Sequence, residues 1–269
     1  DLRPGAPRWS PDGRHLYFTA GIGGETHLFR AAANGTGVEQ VTGGERRLGS
    51  LTMDGDLSKI AYLVGRFDGP SELFVANADG SDERQLTHVH DALTRGIAFS
   101  PAERIRFPSY DGTEIEGWVM LPHGYDPARG PYPLIVHSHG GPHSASGYGF
   151  NFKHQLFAAN GYIVLQTNFR SSTGYGEEFL WATWGAWGDK DGEDVMSGAD
   201  YVLANYPADR ERVATIGHSY GGFMSNWLIT RYPDRFQAAA VGAGISNWMS
   251  DYGTADVAPL DSLCLDLLR

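Results

Sequence analysis

Ser219 stands between glycines in the run Gly217-His218-Ser219-Tyr220-Gly221-Gly222, and this spacing is the chain's clearest suggestion of covalent chemistry. A serine hydroxyl is a weak nucleophile until the backbone presents it and a base takes its proton. The pattern Gly217-x-Ser219-x-Gly221 fits a nucleophile elbow, a strained strand-to-helix turn that lifts the hydroxyl above a sheet. Glycine is needed at both flanks because a side chain there would strike the adjoining strand or helix. An ordinary Gly-rich turn with an exposed serine satisfies the same three positions, so the rest of the chain must decide. A second group bears on that decision. The apolar run Leu134-Ile135-Val136-His137 leads into His139-Gly140-Gly141-Pro142, whose glycines leave backbone N–H groups uncovered. Acyl transfer requires two such donors aimed at the developing oxyanion, one from the residue after the nucleophile and one from a loop after an earlier strand. The N–H groups of Tyr220 and Gly141 are the candidates. The plainer reading of Gly140-Gly141-Pro142 is a simple chain reversal.

Other residues carry softer suggestions. Arg170 follows a predicted strand end, where its planar fork suits a substrate carboxylate or carbonyl; an ion pair with Glu177 or Asp189 explains it equally well. Trp181, Trp184 and Trp187, spaced three apart, line an apolar specificity pocket or, on the preferred reading, pack under the N-terminal region. Asp189, Asp191, Glu193 and Asp194 around Lys190 read as the charged opening of a helix, where carboxylates suit the positive end of the dipole. His137 and His139 share a strand face, with His143 nearby. The Gly-Gly-Pro interruption and the lack of a neighbouring carboxylate make them a poor metal site. His218 adjoins Ser219, yet neighbours at a sharp turn point apart. His88 and His90 read as solvated.

These groups need elements to hold them. From Leu134 onward strands and helices alternate: a helix from Phe152 to Asn160, a strand over Tyr162 to Gln166, a helix over Asp191 to Asn205, a strand over Arg212 to Ile216, a helix from about Gly222 to Arg231 and a strand over Ala238 to Val241. Val195, Ala199, Val202 and Leu203 fall on one face of the second helix. Such βαβ alternation implies a mostly parallel sheet covered on both faces, with reactive groups at the carboxyl ends of its strands. Ahead of it, Ile105 to Leu121 reads as a hairpin turning at Asp111-Gly112. Residues 1 to about 90 contain a repeat: Leu28-Phe29, Asn34-Gly35, Gln40 and Thr42 recur 45 residues later as Leu73-Phe74, Asp79-Gly80, Gln85 and Thr87. Short β-type runs joined by Asn-Gly or Asp-Gly at this period point to propeller blades. About two are visible where closure needs roughly four to eight, and a small free-standing sheet is the alternative.

Composition sets the outer bounds. A chain of 269 residues with 41% hydrophobic and 12% aromatic side chains can furnish one large core or two ordinary ones. The net charge of -11 repels phosphates, which disfavours nucleic acid and anionic membrane as partners. Cys264 is the single cysteine, so no internal disulfide forms. No apolar run reaches membrane-spanning length, and Asp1-Leu2-Arg3-Pro4 lacks the form of a signal peptide. The cytoplasm is the default expectation.

His139-Gly140-Gly141-Pro142, Asn168-Phe169-Arg170-Ser171-Ser172-Thr173-Gly174-Tyr175-Gly176, Trp187-Gly188-Asp189, the Ser219 run and Tyr252-Gly253-Thr254-Ala255-Asp256, in that order, resemble the prolyl oligopeptidase family of serine peptidases, in its acylaminoacyl-peptidase branch. The resemblance covers about residues 105 to 256. It implies an α/β-hydrolase domain behind a β-propeller that restricts access to oligopeptides, with no metal and no organic cofactor. It also implies Ser219 as nucleophile and Gly141 and Tyr220 as oxyanion-hole donors. The family order then requires an acid and a histidine after the nucleophile. No histidine follows Ser219 in this sequence, and Asp251 and Asp256 fall where the family has a loop ahead of the triad acid. Beyond Asp256 the resemblance stops, leaving 257–269 as an atypical tail.

The expectation is therefore an α/β chain truncated at both ends. Residues 1–102 would be a β-propeller fragment of about two blades, and 103–269 an α/β-hydrolase domain lacking its C-terminal strands and its triad Asp and His. The expected activity is that of a serine-type peptidase on short, N-acylated oligopeptides; a carboxylesterase or a non-catalytic binding module are the alternatives. A sheet cut near Ala238 to Val241 exposes an edge and an apolar face, so homo-oligomers are expected.

Overall fold

The structure, a computed structural model, describes residues 4–254. Asp256, Cys264 and the tail 257–269 lie outside the described residues. The chain forms two compact units. The first holds the residues up to Pro101 with Gly147–Phe152 and Thr173–Tyr175; the second holds Ala102–Ser146, Lys153–Ser172 and the chain from Gly176.

The first unit is built from two four-stranded antiparallel meanders. One comprises β1 (Arg8–Trp9), β2 (His15–Ile22), β3 (Glu25–Ala32) and β4 (Val38–Gln40); the other comprises β5 (Arg47–Met53), β6 (Lys59–Arg66), β7 (Gly69–Asn77) and β8 (Arg84–Gln85). They are joined by one parallel pair, Thr26 with Arg47. A short helix, α1 (Asp91–Thr94), follows. This is the two-blade count that the repeat implies, and the repeat has a physical meaning. Thr42 Oγ1 accepts from Leu28 N at 3.0 Å, and Thr87 Oγ1 accepts from Leu73 N at 2.9 Å. Gln40 Nε2 donates to Thr42 O at 2.8 Å, and Gln85 Nε2 to Thr87 O at 2.7 Å. Both hairpins turn on a glycine at positive φ, Gly35 at 77° and Gly80 at 83°, each donating its N–H back across the turn at 2.9 Å. What recurs every 45 residues is thus a set of hydrogen bonds that fasten the short outer strand to its neighbour.

The second unit carries a six-stranded sheet in the order β14-β13-β11-β12-β10-β9. Here β9 (Ala102–Pro108) and β10 (Glu114–Met120) form the antiparallel hairpin, with Gly112 at φ 87° in its turn. β11 (Tyr132–Ser138), β12 (Ile163–Asn168), β13 (Ala208–His218) and β14 (Ala238–Gly242) run parallel to one another. Every residue of β12 is buried, as a strand covered on both faces requires. The helices are α2 (Phe152–Ala159), α3 (Glu177–Leu180), α4 (Lys190–Asn205), α5 (Tyr220–Arg231) and α6 (Trp248–Thr254). On α4, Val195, Ala199 and Val202 are buried at the expected helical spacing. A Cβ on Gly198 would lie 2.7 Å from Thr167 and 2.8 Å from Phe107, so glycine lets this helix sit close on the sheet.

One boundary differs from the sequence reading in a way that matters. The helix after Ser219 starts at Tyr220, and β13 continues to His218. Gly221 and Gly222 lie inside the first helical turn and serve close packing there. The turn itself is the single residue Ser219.

Candidate active site

Ser219 has φ 58° and ψ -124°, a conformation costly for serine, and its side chain is exposed. The elbow is held by backbone contacts that leave no room for side chains. A Cβ on Gly217 would lie 2.0 Å from Gly221 O, and one on Gly221 would lie 2.1 Å from Ser138 O. Ser219 N donates to Gly242 O at 2.9 Å, and Phe223 N donates to Ser219 O at 3.0 Å. The residue is thus tied to β14 on one side and starts α5 on the other.

The loop after β11 comes to the same place. A Cβ built on Gly140 would be 3.4 Å from Ser219 Cβ and 3.9 Å from Ser219 Oγ. His139 controls that loop. Its ring is buried and stacked on Phe169, with centroids 4.3 Å apart and planes 12° apart. Nδ1 lies 2.7 Å from Gly140 O, and because a carbonyl only accepts, Nδ1 carries the proton. Nε2 lies 2.9 Å from Ser172 Oγ, itself fixed by a bond to Phe169 O at 2.6 Å. In a trans peptide the N–H points opposite to the C=O. Holding the Gly140 carbonyl therefore aims the Gly141 N–H the other way, and Gly141 has φ 129°, open only to glycine. Asn168 steadies the far side of the loop, accepting from Ser146 N at 2.7 Å and donating to Ser146 O at 3.0 Å.

Tyr220, the second candidate donor, is the first residue of α5 and is 2% exposed. Its ring meets Trp187 at 5.0 Å, Phe223 at 5.2 Å and Phe169 at 6.0 Å. Its hydroxyl bonds to the Asp191 carboxylate. Ser219, Gly140 and Tyr220 are accordingly neighbours, with an exposed serine at the turn between β13 and α5 and the loop after β11 beside it.

Arg170 is differently placed from the substrate-binding expectation. It is 5% exposed, and its donors are engaged by protein groups. Nε and Nη2 grip Asp194 at 3.0 and 2.7 Å, Nη1 binds Asp111, and the guanidinium lies 5.3 Å from the Tyr110 ring centroid. The partners are Asp194 and Asp111 in place of Glu177 or Asp189. The hydrogen bond from Arg170 holds the Asp111 carboxyl down to about 2. Arg170 thus ties the β9–β10 turn and α4 to the end of β12.

The acidic run at the start of α4 also needs correction. Asp191 and Asp194 have no exposure, so they are internal ligands of Tyr220 and Arg170 and not solvated dipole partners. Burial pushes the Asp191 carboxyl up to about 7. Sequence reasoning had no means of seeing this beyond the motif position of Trp187-Gly188-Asp189. Trp181 and Trp184 are 40% and 50% exposed and pack edge to face, with Trp181 also against His143. Trp187 turns inward onto Tyr220 and Trp248. His137 pairs with His154 at 3.0 Å, and His90 binds Glu72 at 2.9 Å. Among the described residues no group of three or more His, Cys, Asp or Glu is placed to hold a metal ion, and no helix is long and apolar enough to cross a membrane.

Comparison with known proteins bears on the same residues. Residues 148–263 match the model of the prolyl oligopeptidase family. The chain is 35% identical over 93% of its length to the uncharacterized peptidase YuxL of Bacillus subtilis, and spans 38% of that relative. Among solved structures, the Pyrococcus horikoshii acylaminoacyl peptidase matches with a TM-score of 0.84 at 30% identity, over 96% of this chain and 40% of that one. An acylaminoacyl peptidase in complex with Z-Gly-Gly-Phe-chloromethyl ketone matches with a TM-score of 0.86 at 29% identity, over 97% and 40%. With an α/β-hydrolase sheet that follows propeller blades and these matches in sequence and fold, the chain belongs to the prolyl oligopeptidase family of serine peptidases.

Proposed function

We propose that this chain carries the nucleophile and oxyanion site of a serine peptidase that cleaves short, N-acylated oligopeptides by acyl transfer. Ser219 is the nucleophile, and the N–H groups of Gly141 and Tyr220 receive the oxyanion. The observation that supports it most directly is the approach of Gly140 to Ser219 Oγ, with the Gly140 carbonyl held by His139 Nδ1. A similar acylaminoacyl peptidase has been solved with a peptidyl chloromethyl ketone, which supports a peptide as the ligand class.

No histidine follows Ser219 in the sequence, and the chain spans 38% of the length of the YuxL relative. On this reading the residues are part of a longer protein, with residues 1–102 as propeller and 103–269 as part of the hydrolase domain. The base and its carboxylate partner then come from outside the stretch. The test is incubation with a fluorophosphonate probe followed by intact mass, with Ser219→Ala as control. Stoichiometric labelling lost in Ser219→Ala is expected of the longer protein, where the base is supplied; absence of labelling there overturns acyl transfer and leaves a binding module. Comparing kcat/KM on an acyl-aminoacyl anilide and a p-nitrophenyl ester then separates peptidase from carboxylesterase. Activity confined to the ester overturns the peptidase assignment.

A further inference from the structure

We propose that Asp191 is a positioning residue for the oxyanion site: from the start of α4 it anchors the Tyr220 side chain and so fixes the direction of the Tyr220 N–H. Its catalytic meaning rests on acyl transfer at Ser219; the anchoring rests on geometry alone.

Both carboxyl oxygens are in use. Oδ1 accepts from Gly188 N at 2.8 Å, and Oδ2 receives the Tyr220 hydroxyl. The Gly188 end is itself rigid, since the residue has φ 94° and a Cβ there would lie 2.6 Å from the Trp227 ring. Asp191 therefore does not follow Tyr220; Tyr220 follows Asp191. The tyrosine is held at its tip by this bond and along its ring by Trp187, Phe223 and Phe169, so its side chain has one orientation. Tyr220 directly follows the strained Ser219, where the chain leaves β13 and enters α5. Fixing the far end of a buried side chain there restricts rotation of its backbone, and with it the N–H.

The chemistry of the site points the same way. An acid with no exposure costs free energy that an apolar residue of similar size would not, and burial has raised this carboxyl to about 7. Asp191 lies behind Tyr220 and has no exposure to a ligand at Ser219. It acts through another residue.

The experiment is a double-variant cycle in the full chain with Asp191→Asn, Tyr220→Phe and both. Asparagine keeps the size but has one acceptor oxygen where two are used; phenylalanine keeps the ring and removes the hydroxyl. Of the 13 tyrosine amides seen with 15N-tyrosine, the one lost in Tyr220→Phe is that of Tyr220. In Asp191→Asn the resonance of that amide is expected to shift. Phosphonylation of Ser219 is expected to slow about tenfold in each single variant, less than the 10²- to 10³-fold cost of deleting a donor outright. The double variant should be no slower than the slower single, and KM for an ester should stay within about twofold. An unmoved Tyr220 amide, or losses that multiply in the double variant, overturns the proposal. If the unsubstituted longer protein, with its base in place, fails to label, acyl transfer falls while the amide still decides the anchoring. If Asp191→Asn does not fold, Tyr220→Phe decides, and phosphonylation as fast as in the parent chain overturns the proposal.

Discussion

His154 has no exposure, and its Nε2 sits 3.0 Å from His137 Nδ1, so one ring nitrogen donates and the other accepts only while both imidazoles share a single bridging proton. Burial disfavours the charged forms and lowers His137 to about 2 and His154 to about 4. Both folded values lie below the ordinary 6.5, so the unfolded chain takes up protons that the folded chain refuses. The stability this pair contributes is present above pH 6.5 and is lost as pH falls toward 4. Replacing His154 by Gln removes one titration and keeps a polar side chain. The urea midpoint of the parent chain should fall relative to His154→Gln between those values, and parallel curves would contradict the assignment. At this scale the legible residues were those fixed by a steric rule: Ser219, Gly217 and Gly221 follow from what an elbow excludes. Asp191, Asp194 and His154 were not legible. Their burial depends on partners contributed by other elements, Tyr220, Arg170 and His137, and no local pattern announces a buried acid or imidazole.

Elements were legible where a period or a turn residue marks them, and the two propeller blades give a way to test what a repeat encodes. Thr42 and Thr87 occupy equivalent places and accept from the N–H groups of Leu28 and Leu73. Valine fills the same volume without the acceptor oxygen. Thr42 is buried, so Thr42→Val leaves an N–H without water and should cost about 1–3 kcal/mol. Thr87 is only half-buried, so water can replace its oxygen and Thr87→Val should cost less than about 1 kcal/mol. Chemical denaturation of the two variants checks the order; a larger loss at Thr87 would show that the bond is not the shared determinant. The start of α5 shows the converse. Reading the glycines as corners of the turn placed the helix start near Gly222, but Gly221 and Gly222 are inside the helix, where β11 and β14 approach it too closely for a Cβ. Tertiary proximity overrode the propensity rule.

For the whole molecule, the repeat and the βαβ alternation implied two architectures, and the chain does have two compact units with separate cores. What could not be read is that Gly147–Phe152 and Thr173–Tyr175 group with the first unit, although they lie among the elements of the second. Such membership is decided by packing and not by local sequence. The two cores share no residue: Leu28, Ile60 and Tyr62 belong to one, Val136, Leu165 and Val202 to the other. Removing a side chain from one core should therefore weaken that unit first. Leu28 and Leu165 are both without exposure, so Leu28→Ala and Leu165→Ala should each cost about 2–5 kcal/mol through lost burial and a residual cavity. Calorimetry of the full chain is expected to show two transitions, with Leu28→Ala lowering one by several degrees and Leu165→Ala lowering the other. Because the elbow is built on β13 and α5, phosphonylation of Ser219 during heating should track the transition that Leu165→Ala lowers. One transition displaced equally by both substitutions would show that the units unfold as one, and that the elbow's integrity depends on the blades as much as on its own sheet.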